Sequence, residues 1–148
     1  MSTTATNQIE RTSLNSLAIS GALAGLAGGV VFGIMMGLMG MLPMVGMLVG
    51  QENAVIGSVV HLAIGAFIGA VYGVIAGRLP INATNAFVGG IVNGVVWWVL
   101  GALILMPLNL GMTHMVFVIG QAQWMSLLGH ILYGLVTSFA FISLAKRS

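Results

Sequence analysis

The chain has 148 residues, of which 59% are hydrophobic, and its four basic and two acidic residues give a formal net charge of +2. Soluble domains carry a charge on about a quarter of their residues, so this composition excludes a soluble domain, and so few basic residues give no support for a nucleic-acid partner. The absence of cysteine excludes disulfides, thiolate metal sites and cysteine nucleophiles.

Four long apolar segments predict an all-α fold, an integral membrane four-helix bundle that forms a single transmembrane domain over residues 1–148. Residues 1–14 are polar and rich in Ser and Thr, and we expect a flexible cytoplasmic tail there and no signal peptide. The membrane spans are predicted at about 15–40, 54–77, 84–106 and 124–145. The third is expected to end before Pro107, and the apolar linker around Pro43 is predicted to be a turn at the membrane interface.

Glycines recur at intervals of four residues within these spans. This spacing aligns them on one side of a helix, where the missing side chains let a second helix approach backbone to backbone. Lipid forces the backbone to satisfy its own hydrogen bonds, so the helices form despite the poor helix propensity of glycine. We therefore predict helix packing through Gly21, Gly25, Gly29, Gly33, Gly37, Gly65, Gly69, Gly73, Gly90, Gly94 and Gly134.

The two halves of the chain resemble each other, which predicts a duplicated helical hairpin. Residues 28–33 (GGVVFG) match residues 89–94 (GGIVNG), and His61 with the glycines that follow it matches His130. The first repeat covers about residues 15–78 and the second about residues 84–146. Each repeat crosses the membrane twice, so both have the same orientation, and we expect a symmetric four-helix core.

The basic residues indicate how the chain is oriented in the membrane. Arg11 precedes the first span, Arg78 lies between the second and third, and Lys146 and Arg147 follow the fourth. An even number of spans places all of them on one side, which the positive-inside rule identifies as the cytoplasm. Both termini are therefore predicted to be cytoplasmic.

Three polar side chains within the spans are candidate functional residues. His61 and His130 lie roughly 10 to 12 Å deep, on the glycine-bearing side of their helices, so we expect them to face neighbouring helices. Each imidazole can form an interhelical hydrogen bond, ligate a haem shared by both histidines, or take part in a proton relay. Asn93, at the centre of the third span, is predicted to form an interhelical hydrogen bond in a polar part of the core.

Methionines are concentrated around the two linkers that join spans one and two and spans three and four. Thioether and imidazole ligands suit Cu(I), although methionine is also a flexible filler of apolar packing. The candidate copper ligands are Met39, Met44, Met47, Met112, His114 and Met115.

The sequence shows no arrangement of residues that is typical of catalysis. No acidic, lysine or arginine side chain lies within a predicted span, so the membrane-embedded carboxylate of proton-coupled four-span exporters is missing. A Ser/His/Asp set, a phosphate-binding loop and a carboxylate pair are also absent. We therefore expect that the protein is not an enzyme.

Short motifs around the proline turns and the second histidine resemble those of a known group of proteins. They are residues 39–44 (MGMLPM), 97–101 (WWVLG), 105–108 (LMPL) and 128–134 (LGHILYG). On these motifs, the chain resembles small four-span membrane proteins of bacteria and archaea, similar to YagU-type proteins. The resemblance implies a four-helix fold in a prokaryotic cytoplasmic membrane, and it implies no catalytic residues.

The leading hypothesis for function is helix association, either as a homo-oligomer or as an accessory subunit of a membrane complex. Its basis is a glycine surface larger than four helices need among themselves. One alternative is a haem- or Cu(I)-binding membrane protein that uses the histidines or the methionine-rich linkers. The other is a small-solute or proton pathway between the repeats, with His61 and His130 as its gate.

Overall fold

The structure is a computed structural model that describes residues 13–146, and these residues contain helices but no strand. The helices are α1 (Leu14–Leu38), α2 (Leu42–Gly46), α3 (Ala54–Ala76), α4 (Ala83–Trp97), α5 (Met106–Asn109) and α6 (Gln121–Ala145). A π-helical segment, Trp98–Leu105, joins α4 to α5, and 3₁₀ turns lie at Met47–Val49 and Thr113–Met115. The expected flexible tail, with Arg11, and the C-terminal Arg147 lie outside the described residues, except for the last two positions of the tail.

Four helical segments are long and apolar enough to cross a membrane. They are Leu14–Leu38, Ala54–Ala76, Ala83–Asn109 and Gln121–Ala145. The predicted all-α fold class, with four helices of membrane-spanning length, is therefore confirmed. The side chains of Ser13, Asn53 and Asn82 each accept a hydrogen bond from a backbone N–H two or three residues later, so they define where α1, α3 and α4 begin.

The third span differs from the sequence prediction because the helix continues through Pro107 to Asn109. A proline inside a helix lacks the N–H that would bond the carbonyl four residues earlier. Here that carbonyl belongs to Leu103, and the backbone N–H of Phe117 donates to it over 3.2 Å. Phe117 has a positive φ of 57°. The linker after α5 thus supplies a donor to a carbonyl in the turn before the proline, and the helix continues past it.

The helices pack side by side in the order α3, α1, α6, α4, and glycines lie at the closest approaches. A Cβ added to Gly21 of α1 would overlap the carbonyl oxygen of Gly69 of α3, and one added to Gly25 would lie 2.8 Å from the Cα of Gly69. Between α4 and α6, a Cβ on Gly134 would overlap the carbonyl oxygen of Gly90. At these points the backbones leave no room for even a methyl group.

Towards α2, three further glycines of α1 face side chains of α3 and α2. A Cβ on Gly29 would lie 3.3 Å from a methyl group of Leu62, and one on Gly33 would lie 3.2 Å from the ring of His61. A Cβ on Gly37 would lie 3.5 Å from a methyl group of Leu42. Side chains therefore separate α1 from α3 at this end of the bundle, which we call the α2 end.

The linker that contains α2 packs against the start of α3. A Cβ on Gly57 of α3 would overlap the carbonyl oxygen of Leu42, and one on Gly46 of α2 would lie 2.8 Å from the carbonyl oxygen of Asn53. The predicted turn around Pro43 is therefore a short helix held against the first turn of α3.

The core is not symmetric, in contrast to the expectation from the repeats. α1 packs closely on α6, whereas the corresponding pair, α4 and α3, does not pack closely. At the α1–α6 contact, Gly129 leaves space for the ring of Phe32, which a Cβ on Gly129 would overlap. The position of α3 that matches Gly129 is Val60, and the glycine of α4 that matches Gly28 lies against the hydroxyl of Tyr72. Larger side chains therefore keep α3 and α4 apart.

Candidate functional site

The open side of the bundle, between α3 and α4, holds two cavities. The first, which we call the histidine cavity, lies at the α2 end, has a volume of about 350 Å³ and is lined by His61 and His130. The second, the asparagine cavity, lies beside residues 77–82, has a volume of about 430 Å³ and is lined by Asn93. Trp97 lines both cavities and meets Phe67 edge to face, with ring centroids 6.4 Å apart. We call this pair of adjoining cavities the lateral cleft.

The lateral cleft opens on the outside of the bundle. Phe67 in the wall of the histidine cavity is exposed, as are Val88 and Val92 in the wall of the asparagine cavity. In a bilayer, such side chains face the acyl chains of the lipid. The cleft is therefore accessible from the membrane interior.

His61 is buried and bonded to the neighbouring helix. Its Nε2–H donates to the carbonyl oxygen of Gly29 on α1 over 3.0 Å. A carbonyl oxygen only accepts hydrogen bonds, so Nε2 carries the proton, and in the neutral ring the lone pair lies on Nδ1. His61 thus forms the interhelical hydrogen bond that the sequence allowed as one of three roles.

His130 has the opposite tautomer and bonds within its own helix. Its Nδ1–H donates to the carbonyl oxygen of Ser126 over 2.8 Å, and the Ser126 hydroxyl oxygen lies 3.3 Å from the same nitrogen. The lone pair of the neutral ring therefore lies on Nε2. Within residues 13–146, Nε2 of His130 makes no hydrogen bond. This nitrogen is available to accept a hydrogen bond from a molecule in the histidine cavity.

The two imidazoles are brought together by a shared aromatic neighbour. The ring of Phe32 packs edge-on against both, with centroid distances of 5.2 Å to His61 and 4.8 Å to His130. A haem held by both histidines requires an unprotonated nitrogen from each ring facing the iron. Nε2 of His61 is instead protonated and engaged by a backbone carbonyl, so this arrangement does not fit a haem held through the Nε2 atoms of both rings.

The six residues predicted as copper ligands are divided between two linkers. Of the six, only Met39 lines a cavity of the lateral cleft. His114 is exposed in the 3₁₀ turn of the other linker, beside Met112 and Met115. Met44 and Met47 lie in and directly after α2. In the part of the chain that the structure describes, no group of three or more His, Cys, Asp or Glu side chains is placed to hold a metal ion.

Sequence reasoning missed Tyr133 as a site residue. Its hydroxyl donates to the carbonyl oxygen of Gly65 on α3 over 2.6 Å, and its side chain lines the histidine cavity. Tyr133 lies three residues after His130, which places the two side chains on one face of α6. That spacing is the signal that would have identified it.

Asn93 is buried but does not make the interhelical hydrogen bond expected from the sequence. Its side chain is 9% exposed and lines the asparagine cavity. Its Nδ2 is buried and has no hydrogen-bond partner among residues 13–146. The Nδ2 donor is therefore unused, and it is enclosed by protein atoms, so the cavity does not reach it.

Comparison of the chain with protein-family models, with curated proteins and with solved structures finds no match.

Proposed function

We propose that the protein is a non-enzymatic multi-pass membrane protein whose lateral cleft binds an apolar, membrane-soluble ligand. The observation that supports this proposal is the cleft itself. Three neighbouring helix pairs pack closely, whereas α3 and α4 stand apart around two cavities with mostly apolar linings. Cavities of roughly 300 to 1,000 Å³ with apolar walls and a few placed polar groups are typical ligand sites.

The lining of the histidine cavity suits a ligand of this kind. Methionine side chains are flexible and polarizable, so a wall made of them adapts to apolar molecules of different shapes. The free Nε2 of His130 offers one hydrogen-bond acceptor to a ligand that carries a hydroxyl or an N–H group. The methionines of this wall are Met35, Met36, Met39, Met41 and Met106.

We also propose that the two halves arose by duplication of a hairpin held together through glycines. Equivalent positions make similar contacts in the two halves, which supports this origin. A Cβ on Gly65 would lie 3.5 Å from Gly29, and the matching Gly134 lies against Gly90. In the same way, Gly33 faces the ring of His61, and Gly94 faces the backbone of the matching histidine, His130.

The proposed location is a prokaryotic cytoplasmic membrane, with both termini in the cytoplasm. Arg78 and Lys146 each follow a helix that begins at the α2 end, so they lie on the same side of the bundle. The positive-inside rule identifies that side as cytoplasmic, and the resemblance to YagU-type proteins supports a prokaryotic membrane. The lipid bilayer is then the first partner of the chain.

Association with a second copy or with another membrane protein is the second candidate function. The excess of glycine surface no longer supports it, because most glycines of the helices lie against other parts of the same chain. Gly40, Gly50, Gly101 and Gly111 have open space beside them, and only Gly101 belongs to a helical segment. What favours association is the lateral cleft, because a helix of a partner would cover the exposed side chains along it.

The two functions can be separated with protein reconstituted in lipid nanodiscs. A brominated alkane quenches tryptophan fluorescence on contact, and Trp97 lies in the cleft. We expect quenching that saturates as the probe concentration rises, and we expect the saturable part to disappear in Trp97→Phe. The variant Ala102→Trp, which fills the histidine cavity, should weaken probe binding, whereas Val30→Trp on the exposed side of α1 should not.

Quenching that rises only in proportion to the probe, equally in the wild type and in Trp97→Phe, would contradict ligand binding in the cleft. Oligomer size is then measured by light scattering on the same samples. A dimer that Ala102→Trp abolishes, together with unsaturable quenching, would favour association through the cleft.

A further inference from the structure

His130 offers an unused hydrogen-bond acceptor to the histidine cavity. Its Nδ1–H donates to the carbonyl oxygen of Ser126 over 2.8 Å, so Nε2, at the outer edge of the ring, is directed away from that carbonyl. Within residues 13–146, the enclosed polar side-chain atoms without a partner are Nδ2 of Asn93 and Oγ1 of Thr137. Nε2 of His130 is not one of them, so its surface is open, and the ring lines the histidine cavity. A molecule in that cavity can therefore reach this nitrogen.

The lipid around the bundle does not supply a donor for Nε2. The helix α6 begins at Gln121, so His130 lies about 14 Å along its axis and well inside the span. Acyl chains carry no hydrogen-bond donor, and no bulk water reaches this depth in a bilayer. The acceptor therefore stays unbonded when acyl chains fill the cavity, whereas a ligand with a donor would bond to it.

The other side chains of the cavity favour a hydroxyl group as that donor. In the part of the chain that the structure describes, no charged side chain lines the histidine cavity, so nothing there would offset the charge of an ammonium group. A neutral amide brings a carbonyl oxygen that needs a partner of its own, and the hydroxyl of Tyr133 already donates to the carbonyl oxygen of Gly65 over 2.6 Å. A hydroxyl group satisfies Nε2 with the least additional polarity.

On the basis of the proposed ligand-binding function, we propose that the histidine cavity binds an apolar alcohol or phenol, whose hydroxyl group donates a hydrogen bond to Nε2 of His130. The ring of Phe32 and the methionines of the wall contact the apolar part of this ligand. Two sources supply the chemistry. One is a free alcohol or phenol dissolved in the membrane, and the other is the hydroxyl group of a membrane lipid such as phosphatidylglycerol.

The test compares two brominated probes of equal chain length, a long-chain alcohol and its methyl ether, by their saturable quenching of Trp97. The probes are added to full-length protein in nanodiscs of phosphatidylcholine, which has no hydroxyl group. Affinities refer to the probe concentration in the lipid, so that unequal partitioning does not contribute. A neutral hydrogen bond changes an affinity by about threefold to tenfold, and we expect the alcohol to bind more tightly by this factor. His130→Phe keeps a flat ring without an acceptor, so it should abolish the preference and leave binding of the ether unchanged.

His114→Phe is the matched control, because it makes the same substitution at an exposed histidine that lines neither cavity. It should keep the preference for the alcohol. Loss of the preference in His61→Phe but not in His130→Phe would overturn the role of His130. Nanodiscs of phosphatidylglycerol distinguish the two sources. A preference that shrinks there identifies the lipid hydroxyl as a competing occupant, and an unchanged preference identifies a free alcohol or phenol.

A second measurement does not depend on any variant. In ¹⁵N-labelled wild-type protein, the resonance of the unprotonated Nε2 of His130 should move upfield when the alcohol binds and stay in place when the ether binds. Equal affinity for both probes, or an alcohol preference that survives in His130→Phe, would overturn the role of His130 while leaving binding in the cleft intact. Absence of saturable quenching by either probe would overturn the proposed function itself.

Discussion

Replacing Gly134 with alanine tests the closest contact between α4 and α6. The added Cβ would overlap the carbonyl oxygen of Gly90 and lie 3.0 Å from both the carbonyl carbon of Gly90 and the nitrogen of Gly94. Carbon atoms in contact are about 3.5 to 4.0 Å apart, so the two helices must separate by roughly half an ångström or more at this point. Backbone atoms cannot move aside as a flexible side chain can. The separation therefore affects both helices along several turns.

The expected loss of stability follows from two opposing effects. Inserting a methyl group into a closely packed contact costs about 1 to 3 kcal/mol. Alanine has a better helix propensity than glycine by about 1 kcal/mol in water, but this gain is smaller in lipid, where the helix forms in any case. We expect Gly134→Ala to lower the free energy of unfolding by about 1 to 2 kcal/mol.

The measurement is a titration with SDS in mixed micelles, in which tryptophan fluorescence reports the folded fraction. Gly101→Ala is the control, because no atom lies within 4 Å of the added Cβ. Its free energy of unfolding should stay within about 0.5 kcal/mol of the wild type. If both variants unfold at the same SDS mole fraction, the close approach of Gly134 to Gly90 does not contribute to stability, and the reasoning is wrong.

Three further predictions concern single side chains. Tyr133→Phe removes the donor to the carbonyl oxygen of Gly65 and should lower the free energy of unfolding by about 1 kcal/mol in the same SDS titration; an unchanged midpoint would contradict a role for this hydrogen bond. Phe117 has a positive backbone φ and an exposed side chain. Phe117→Gly should therefore raise the free energy of unfolding by up to about 1 kcal/mol, and Phe117→Ala should give no such gain. The chain has no native cysteine, so cysteines introduced at Leu79 and Gly50 should react with a membrane-impermeant maleimide from opposite sides of right-side-out vesicles. Labelling of both from the same side would refute the proposed topology.

The sequence was sufficient to predict the spans because lipid imposes a simple rule on hydropathy and helix length. It was not sufficient to predict the end of the third span. A proline normally ends a helix, but here the Phe117 N–H, ten residues beyond Pro107 and after an irregular linker, donates to the carbonyl of Leu103 in the turn before it. A local pattern contains no information about such a distant hydrogen bond.

The candidate site was predicted in part. The spacing of His61 and His130 with their glycines led to the expectation that both face neighbouring helices, and both line a single cavity in the structure. Their different hydrogen-bond partners could not be predicted, because they depend on how far apart the helices stand. That separation follows from small differences between the halves, such as Gly129 in α6 and Val60 in α3.

The copper prediction depends on how the two linkers are arranged, which the sequence does not specify. Methionines in two linkers at the same end of the bundle do not have to meet, because each linker packs on its own hairpin. Because Gly57 has no side chain, the first linker packs directly against α3. His114 lies in the second linker, which contacts the third span through the backbone N–H of Phe117. Composition alone does not specify these two separate attachments.

The π-helical segment at Trp98–Leu105 allows the side-chain directions at the two ends of the third span to differ independently of each other. A π turn contains one residue more than an α turn, so a single inserted codon is enough to create it, and every later side chain is then rotated by about 100°. Gly90 and Gly94 keep their position against α6, while Met106 and Asn109 line the histidine cavity. Deleting one residue from this segment would turn those two side chains away from the cavity without altering the glycine contacts before it. Evolution can thus reshape this wall of the cavity by insertion and deletion, at little risk to the helix pair that supports it.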